Sequence, residues 1–463
     1  MNDTQKQVLL FALTLAVRIP FLFLGYGVEE DSWGHVLNAA LMNETGIYEI
    51  SRLPGHPLYE ALLFIMWNAH SPVLYNLPSA LASAAAVTVF YRIAKLHRLT
   101  KPFWWSLVFS FIPVFLISGT YTIDYCITLF FSLLSYEAAL KNKPESAGVW
   151  LAVATGFRIT AMGMLLPISF MLIRDKRFDT SIALRLRKTL KLVFLASILS
   201  AIFYLPPFLQ YGWAFFDFHR PPYPIWPEIF YKMSIGIWGL LGIIALMAAF
   251  ITLMLYRKQI KKDRIHLVWL LVIIVYTVAY FRMPEKAAFW LPVIPFVLIF
   301  IGKYLTPKAT YLIGSLLLIS GWLFGINNTN PLTGSIPGKF AKTLTIAGED
   351  IFIDPFQGAI LTDASKRRNK AQACEKIEHE IMLLREPTLV IAGWWYAMIE
   401  VDKRDGKWSN RNIELVYFAS PTELENWKQR GYHLRYLPEQ ERINDIKYHT
   451  RYTVQNATLI PIQ

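Results

Sequence analysis

The sequence predicts an α-helical polytopic membrane protein that carries a small C-terminal α/β domain. Hydrophobic residues make up 54% of the 463 residues, charged residues only 17%, and the mean hydropathy is +0.36. This composition excludes an ordinary soluble multidomain protein. The formal net charge of +13 is carried by short clusters of Lys and Arg between apolar runs. Such a pattern indicates membrane topology and argues against a nucleic-acid partner.

Apolar runs long enough to cross a bilayer recur along the first 326 residues, where a hydrocarbon core of about 30 Å requires roughly 20 helical residues. The predicted spans lie at 8–25, 74–95, 103–119, 121–140, 190–209, 230–256, 265–281, 287–303 and 310–326, with a longer apolar region at 147–173. No small-residue cleavage site follows the first run, so we expect it to remain a membrane helix. Two cysteines, Cys126 and Cys374, cannot form a disulfide framework or a Cys-based zinc site.

The region 147–173 is predicted to be a hairpin of two half-length helices. As a single helix, it would place the basic segment 174–191 on the opposite side of the membrane from Lys141 and Lys143. The positive-inside rule assigns both to the cytoplasm, which a break at 155–158 achieves. About eleven membrane helices result. The N-terminus is then cytoplasmic, and the first loop (26–73) and the C-terminal domain are extracytoplasmic.

The composition becomes charged and polar after residue 326, which divides the chain into a membrane domain (1–326) and a C-terminal domain (327–463). Strands are predicted at 358–362, 388–393 and 413–418, and helices at 365–385 and 421–430. We therefore expect a small α/β domain.

The first outer loop begins with three carboxylates, Glu29, Glu30 and Asp31. From Ser32 onward apolar residues recur with the helical period, which predicts an amphipathic helix along the membrane surface. A second interfacial helix is predicted at 58–68, after a proline. Glu29 has the pattern of a solvated charge. Asp31 could simply cap the helix, but partial desolvation at the membrane rim would raise its proton affinity and favours a role as general base.

Two further residues of the outer face are candidates. Asp124 opens the fourth span, where a carboxylate needs a partner, and Arg18 or Arg158 could supply one. Alternatively, Asp124 caps its helix, and Arg18 pairs with a backbone carbonyl. His56 points toward the same rim, although a lone histidine is as often structural.

Cations also collect on the outer face, with Arg220 in one loop and Arg282 and Lys286 in another. Basic and aromatic residues at this depth can be ordinary interfacial anchors against membrane lipids. Their convergence on one face favours a ligand with a phosphate and a long apolar tail.

The order of these motifs resembles the GT-C superfamily of membrane glycosyltransferases, which includes protein O-mannosyltransferases and aminoarabinose-type lipid A transferases. The resemblance covers residues 1 to about 326 by order and spacing. It is carried by Arg18-Ile-Pro, Glu30-Asp31, the segment from Arg52 to Tyr59 with His56, Asp124, the 156–160 hairpin with Arg158, and the run 284–295. The His-Lys-Glu-x-Arg form of some branches is absent, so their donor preference is not carried over.

The resemblance implies transfer of a sugar, with inversion, from a polyprenyl-phosphate donor to a lipid, glycan or protein acceptor. It assigns the general base to Asp31, with Glu30 as the neighbouring alternative. The cations Arg52, Arg220, Arg282 and Lys286 would stabilise the departing phosphate, and His56, Asp124 and Arg158 would line the substrate site. A divalent cation, Mg²⁺ or Mn²⁺, held by Glu30, Asp31 or Asp124 could assist, although no ligand-spacing motif demands one.

Two other functions fit the composition. A transporter or lipid flippase also places charges within spans, but such proteins often show matched halves, and this chain has no detectable second copy. The third possibility is a membrane-anchored binding protein whose α/β tail is the active part. A tail that binds its ligand without the membrane domain would favour it.

Overall fold

The computed structural model describes residues 1–66, 71–174, 181–216, 224–255, 265–328, 335, 337–346, 349–437, 440 and 458–459. It is mostly helical, with a small α/β region near the C-terminus. The helices are α1 (Asp3–Leu22), α2 (Glu30–Thr45), α3 (Pro57–Ile65), α4 (Pro72–Leu96), α5 (Pro102–Phe111), α6 (Pro113–Ser118), α7 (Tyr125–Leu140), α8 (Pro144–Phe157), α9 (Leu165–Arg174), α10 (Ile182–Tyr211), α11 (Trp226–Met233), α12 (Ile235–Trp238), α13 (Leu240–Leu255), α14 (His266–Arg282), α15 (Ile294–Tyr304), α16 (Pro307–Ile319), α17 (Ala359–Met382), α18 (Tyr396–Arg404) and α19 (Pro421–Gln429). Short 3-10 helices lie at Ile159–Met164, Gly212–Phe216, Ala287–Val293 and Gly393–Trp395.

Several helices are long and apolar enough to cross a membrane, which indicates a multi-pass membrane protein. Among the described residues, four qualify by length and composition: Asp3–Leu22, Pro72–Leu96, Ile182–Phe215 and Ala287–Tyr304. A fifth span results if the pair Trp226–Trp238 and Leu240–Met254, bent by 87°, is counted as one. Shorter apolar helices lie at Tyr125–Leu140, Ile159–Arg174, His266–Arg282 and Pro307–Ile319. The count of eleven membrane helices stays a prediction.

Two of the predicted spans are interrupted. The run 103–119 divides at Pro113 into α5 and α6, because proline cannot continue the hydrogen-bond ladder. The run 230–256 bends at Gly239, which has a φ of +71°. An added Cβ at Gly239 would lie 2.5 Å from the carbonyl oxygen of Ser320, so only glycine fits where this bend packs against the end of α16.

The chain turns back at Arg158, as the charge pattern predicts. Arg158 is extended, with φ −155° and ψ 121°, and separates α8 from the 3-10 helix and α9. The first turns of α10 contact both ends of this hairpin. Lys188 donates to Asn142 over 3.0 Å and Lys191 pairs with Glu145 over 2.6 Å, while Arg185 donates to the carbonyl of Ile173. The described residues of the two basic segments, 141–143 on one side and Arg174 with 181–191 on the other, therefore lie at the same end of the molecule.

The α/β region contains two small sheets. Strands β1 (Gly325–Asn328), β2 (Lys342–Ile346) and β3 (Glu349–Asp354) form an antiparallel sheet of order β1-β3-β2. Strands β4 (Thr388–Ile391), β5 (Ile413–Val416), β6 (His433–Tyr436) and β7 (Thr458–Leu459) form a parallel sheet of order β5-β4-β6-β7. The strands predicted at 388–393 and 413–418 and the helix predicted at 421–430 are confirmed within two residues, and the helix predicted at 365–385 is confirmed but begins six residues earlier.

The strand predicted at 358–362 is wrong, because this segment starts α17. The amides of Gly358 and Ile360 donate to the carbonyls of Trp322 and Gly321, which fixes the first turn on the end of the last apolar helix. A Cβ at Gly358 would lie 2.4 Å from the backbone carbon of Trp322. The apolar residues of 358–362 therefore belong to the N-terminus of α17, which packs against the end of the last apolar helix.

Helix α2 was expected on the membrane surface, but it is buried on both sides. Its residues Trp33, Val36 and Ala40 belong to one hydrophobic cluster with Ile377 of α17 and Met398 of α18. Ala39 and Ala40 have no exposed surface, and such small side chains allow the α18 helix to approach closely. The expectation of a helix with one lipid-facing side is therefore wrong. Helix α3 forms as predicted up to Ile65, and its predicted end at 67–68 lies outside the described residues.

Candidate functional site

The Asp31 carboxylate lies between two cations at the start of α2. Arg52, from the loop between α2 and α3, approaches it to 3.0 Å. Lys286, from the loop after α14, approaches it to 2.5 Å and also donates to Glu29 over 2.7 Å. Three sequence-distant segments therefore meet at one carboxylate. Glu29, which the sequence suggested to be a solvated charge, is part of this cluster.

The electrostatics of Asp31 differ from the expectation. Burial alone would raise its pKa, but the charges of Lys286 and Arg52 outweigh burial and hold the pKa well below its ordinary value. Asp31 and Glu29 likewise outweigh the effect of burial on Lys286 and raise its pKa, so the amine stays charged. The expected rise in the proton affinity of Asp31 is wrong. Asp31 instead acts as a fixed counter-ion that holds two cations in place.

The Glu30 side chain faces a different environment from that of Asp31. Burial raises the pKa of Glu30 to about 7, against the opposing effect of a hydrogen bond from Tyr417 in the α/β region. Lys370 of α17 is nearby; it donates to the carbonyl of Val28 over 2.7 Å, and burial lowers its pKa to about 8. Because consecutive helical residues point about 100° apart, Glu30 faces the α/β region while Asp31 faces Arg52 and Lys286. Of the two carboxylates, Glu30 has the proton affinity of a general base.

A second ion pair joins Asp124 to Arg158. The Arg158 guanidinium donates twice to the carboxylate, over 2.7 and 2.8 Å, and both side chains are buried. Arg158 also lies 4.3 Å from the ring centroid of Tyr125 and 5.6 Å from that of Phe289. The partner of Asp124 is therefore Arg158. Arg18 instead donates to the backbone carbonyls of Thr14 and Ser110, the alternative that the sequence left open.

Two histidines lie between the Asp124–Arg158 pair and the rest of α2. The His56 Nδ1 atom lies 3.0 Å from the Phe157 carbonyl oxygen and 3.4 Å from Asp124 Oδ2. Since a carbonyl only accepts, Nδ1 carries the hydrogen. The His35 ring packs edge-on against those of His56 and Tyr59, and burial lowers the pKa of His35 to about 3, so it is neutral. Ser32 Oγ, His35 Nδ1 and Asn38 Oδ1 are buried polar atoms with no hydrogen-bond partner among the described residues.

One predicted phosphate ligand, Arg282, does not join this site. Arg282 is exposed at the end of α14 and forms no ion pair within the described part of the chain. Arg220 lies outside the described residues. The loop after α14 therefore contributes Lys286 to the cluster and not Arg282, although both had been expected to act together.

A metal ion held by Glu30, Asp31 or Asp124 receives no support. Among the described residues, the one grouping of three side chains with metal-ligand geometry is Cys374, Glu378 and Asp402, in α17 and α18. Asp31 and Asp124 instead have guanidinium or ammonium groups against their oxygens. The positive charges of Arg52, Lys286 and Arg158 already balance the negative charges of these two carboxylates.

Sequence reasoning missed His35, Tyr417 and Lys370. His35 follows Asp31 by four residues on the same helical face, a signal that could have been read. Tyr417 and Lys370 are more than 300 residues away along the chain, and no local pattern marks them. No protein-family model matches the chain, and no curated protein is significantly similar to it. Proposals about function must therefore come from the site.

Proposed function

We propose that the chain is an integral-membrane glycosyltransferase, which moves a sugar from a polyprenyl-phosphate donor to an acceptor hydroxyl or amine with inversion. The observation that supports this most is the arrangement of Arg52 and Lys286 on either side of Asp31. Two cations fixed by one carboxylate, on a protein with long apolar helices, suit a phosphate attached to a lipid.

The two cations would act on the leaving group. As the bond between the anomeric carbon and the phosphate oxygen breaks, negative charge grows on the polyprenyl phosphate. Arg52 and Lys286 are already oriented by Asp31, so stabilising this charge requires little reorganisation. The Asp124–Arg158 pair, with His56 at its side, would form the wall of the same site.

Glu30 would act as the general base. The acceptor oxygen or nitrogen attacks the anomeric carbon from the side opposite the phosphate, and its proton passes to the Glu30 carboxylate. A new bond to the acceptor replaces the bond to the phosphate, so the configuration inverts. The sequence placed Asp31 first for this role. The pKa of Glu30 near 7 and the depressed pKa of Asp31 instead favour Glu30 as the base and Asp31 as the counter-ion.

The shared core of α2 and the α/β region argues against a separately active tail. Trp33 of α2 and Met398 of α18 lie in one cluster, so removing either part would expose apolar surface on the other. A transporter or flippase would move the lipid-linked sugar intact. It would therefore release no polyprenyl phosphate, which distinguishes it from a glycosyltransferase.

Membranes containing the protein should be incubated with radiolabelled polyprenyl-phosphate sugars, and the release of polyprenyl phosphate measured. We expect release with the parental chain, and a fall of roughly 10²-fold or more for Glu30→Gln, the usual scale for losing a general base. Glu285→Gln is the control, since Glu285 is next to Lys286 but forms no ion pair among the described residues.

Asp31→Asn should weaken donor use by disordering both cations. If Glu30→Gln keeps transfer, Glu30 is not the base, whatever the activity of Asp31→Asn. Parental activity in both variants, or an absence of polyprenyl phosphate release with every donor tested, would refute the proposed reaction.

A further inference from the structure

The carboxyl edge of the parallel sheet lies against the candidate site. Strands β4, β5 and β6 run in the same direction, so the segments that follow them leave from one edge. Tyr417 follows β5 directly, and its hydroxyl donates to Glu30. Parallel sheets bind their ligands at this edge. The α/β region therefore presents its usual ligand-binding edge to the first outer loop.

The strand order identifies one position at that edge. After β4 the chain continues to β5 on one side, and after β6 the sheet continues to β7 on the other side. The gap between the carboxyl ends of β4 and β6 is thus the point where the order reverses, which is where open α/β sheets form a crevice. Gly393 and Trp394 follow β4 at this gap, and the Trp394 amide donates to Gln440 over 3.1 Å.

The buried Gln440 side chain packs into this gap, and the residue beside it must therefore be a glycine. Gly393 has a φ of +51°, and a Cβ there would lie 2.0 Å from Gln440 Oε1. The Gly393 amide donates to the Tyr417 carbonyl over 2.7 Å, which ties the ends of β4 and β5 together. Trp394 and Tyr417 are consequently held at the same edge.

Aromatic surface is exposed at this edge. Trp394 is 51% exposed, whereas its neighbour Trp395 is buried against the ammonium group of Lys370, 5.6 Å from the ring. Tyr417 is partly exposed and packs edge-on against Phe418. A solvent-facing indole at the same sheet edge as a phenol that bonds a carboxylate suits a sugar ring, which has an apolar C–H face and a rim of hydroxyls.

We propose that this edge is the acceptor subsite and that the acceptor is a saccharide. Its ring stacks on Trp394 and its attacking hydroxyl reaches Glu30, which Tyr417 holds in position. This inference rests on the proposed function in naming the bound sugar an acceptor, but the binding itself is measurable without transfer. Tyr417 is a positioning residue, since it acts through Glu30.

Binding is tested on the full-length protein in detergent by saturation-transfer difference NMR. The probes are the methyl α-glycosides of glucose, mannose, galactose and N-acetylglucosamine. At least one should receive saturation on its C–H face, and Trp394→Ala should weaken its binding roughly 2- to 10-fold, the range of an aromatic contact. Phe340→Ala is the matched control, because Phe340 is a 60% exposed aromatic that precedes β2 of the other, antiparallel sheet.

The positioning role is tested by the pH profile of kcat/KM for transfer. Asp31, Lys370, Lys286 and Tyr417 are the charged and titratable groups that act on Glu30. The Tyr417 hydroxyl favours ionised Glu30, so Tyr417→Phe should move the acid limb of the profile to higher pH. A merely structural role would lower activity equally at every pH.

The outcomes separate the two proposals. Glycoside binding that depends on Trp394, in a protein that transfers no sugar, refutes the glycosyltransferase and leaves the saccharide site standing. Sugar transfer with an unchanged acceptor KM in Trp394→Ala refutes the acceptor subsite alone. The absence of signal from all four glycosides, or a labelled product that is a glycopeptide, also overturns it.

Discussion

At the scale of single residues, adjacent carboxylates have opposite properties because they face different partners. The charges of Arg52 and Lys286 depress the pKa of Asp31, whereas burial raises the pKa of Glu30 to about 7, against the opposing hydrogen bond from Tyr417. Such divergence is the pattern by which acid–base roles are assigned in catalytic sites. The sequence singled out this dipeptide but could not distinguish its two members, because the side chains that set their different environments are far away along the chain.

Lys286 and Arg282 provide a test at the same scale. Lys286→Ala should reduce donor use about 10- to 100-fold, because a charge-assisted contact to a phosphate is worth roughly 1.5–3 kcal/mol. Arg282→Ala should stay close to parental activity, because Arg282 is exposed and outside the cluster. The measurement is KM and kcat for the polyprenyl-phosphate sugar.

Retained folding of both variants is checked by gel filtration in detergent. An equal loss in the two variants would show that the whole loop acts as an interfacial anchor. A loss confined to Arg282→Ala would show that the phosphate lies away from Asp31.

At the scale of elements, the break between helices at Arg158 was predictable from the sequence, whereas the ion pair between Arg158 and Asp124 was not. The break followed from the charges at 141–143 and 174–191, which are local features of the sequence. The sequence left both Arg18 and Arg158 open as partners of Asp124, and in the structure the partner is Arg158. Helix α2 was predicted as a helix for its periodicity, but its second buried face depends on α18, about 360 residues later.

The Asp124–Arg158 pair should contribute strongly to stability. Asp124→Asn leaves a buried guanidinium without its counter-charge, which typically costs about 3–5 kcal/mol. The unfolding midpoint in detergent should fall accordingly. Glu145→Gln is the control: the Glu145–Lys191 pair is exposed on both sides, and such pairs contribute at most about 1 kcal/mol.

The double variant Asp124→Asn with Arg158→Gln should recover part of the loss, because no uncompensated charge then remains. If Asp124→Asn is no less stable than Glu145→Gln, the pair is not the element that holds α7 to the hairpin.

At the scale of the whole molecule, the division at residue 326 follows composition but not packing. The helical and α/β regions share the cluster around α2, and Arg367 of α17 donates to the carbonyls of Phe21 and Thr120. Composition changes sharply where the chain leaves the apolar helices, and this change is the reason the sequence predicts a boundary at residue 326. Contacts between the two regions are set by complementary surfaces, which no single segment encodes. Glu30 and Tyr417 therefore belong to one site assembled by two compositionally distinct regions.

This arrangement predicts that transfer needs no separation of the two regions. Glu44, near the end of α2, pairs with Arg404, at the end of α18, and the variant Glu44→Cys with Arg404→Cys can be joined by a short bifunctional thiol reagent. The native cysteines Cys126 and Cys374 are buried and should react little. Because Trp394 is already exposed at the acceptor edge, we expect the linked protein to keep most of its transfer rate. The single-cysteine variants treated with the same reagent are the controls. A loss of transfer on linking that is restored when a cleavable linker is cut would show that the α/β region moves away from Glu30 in each turnover, and that the closed arrangement is the resting state.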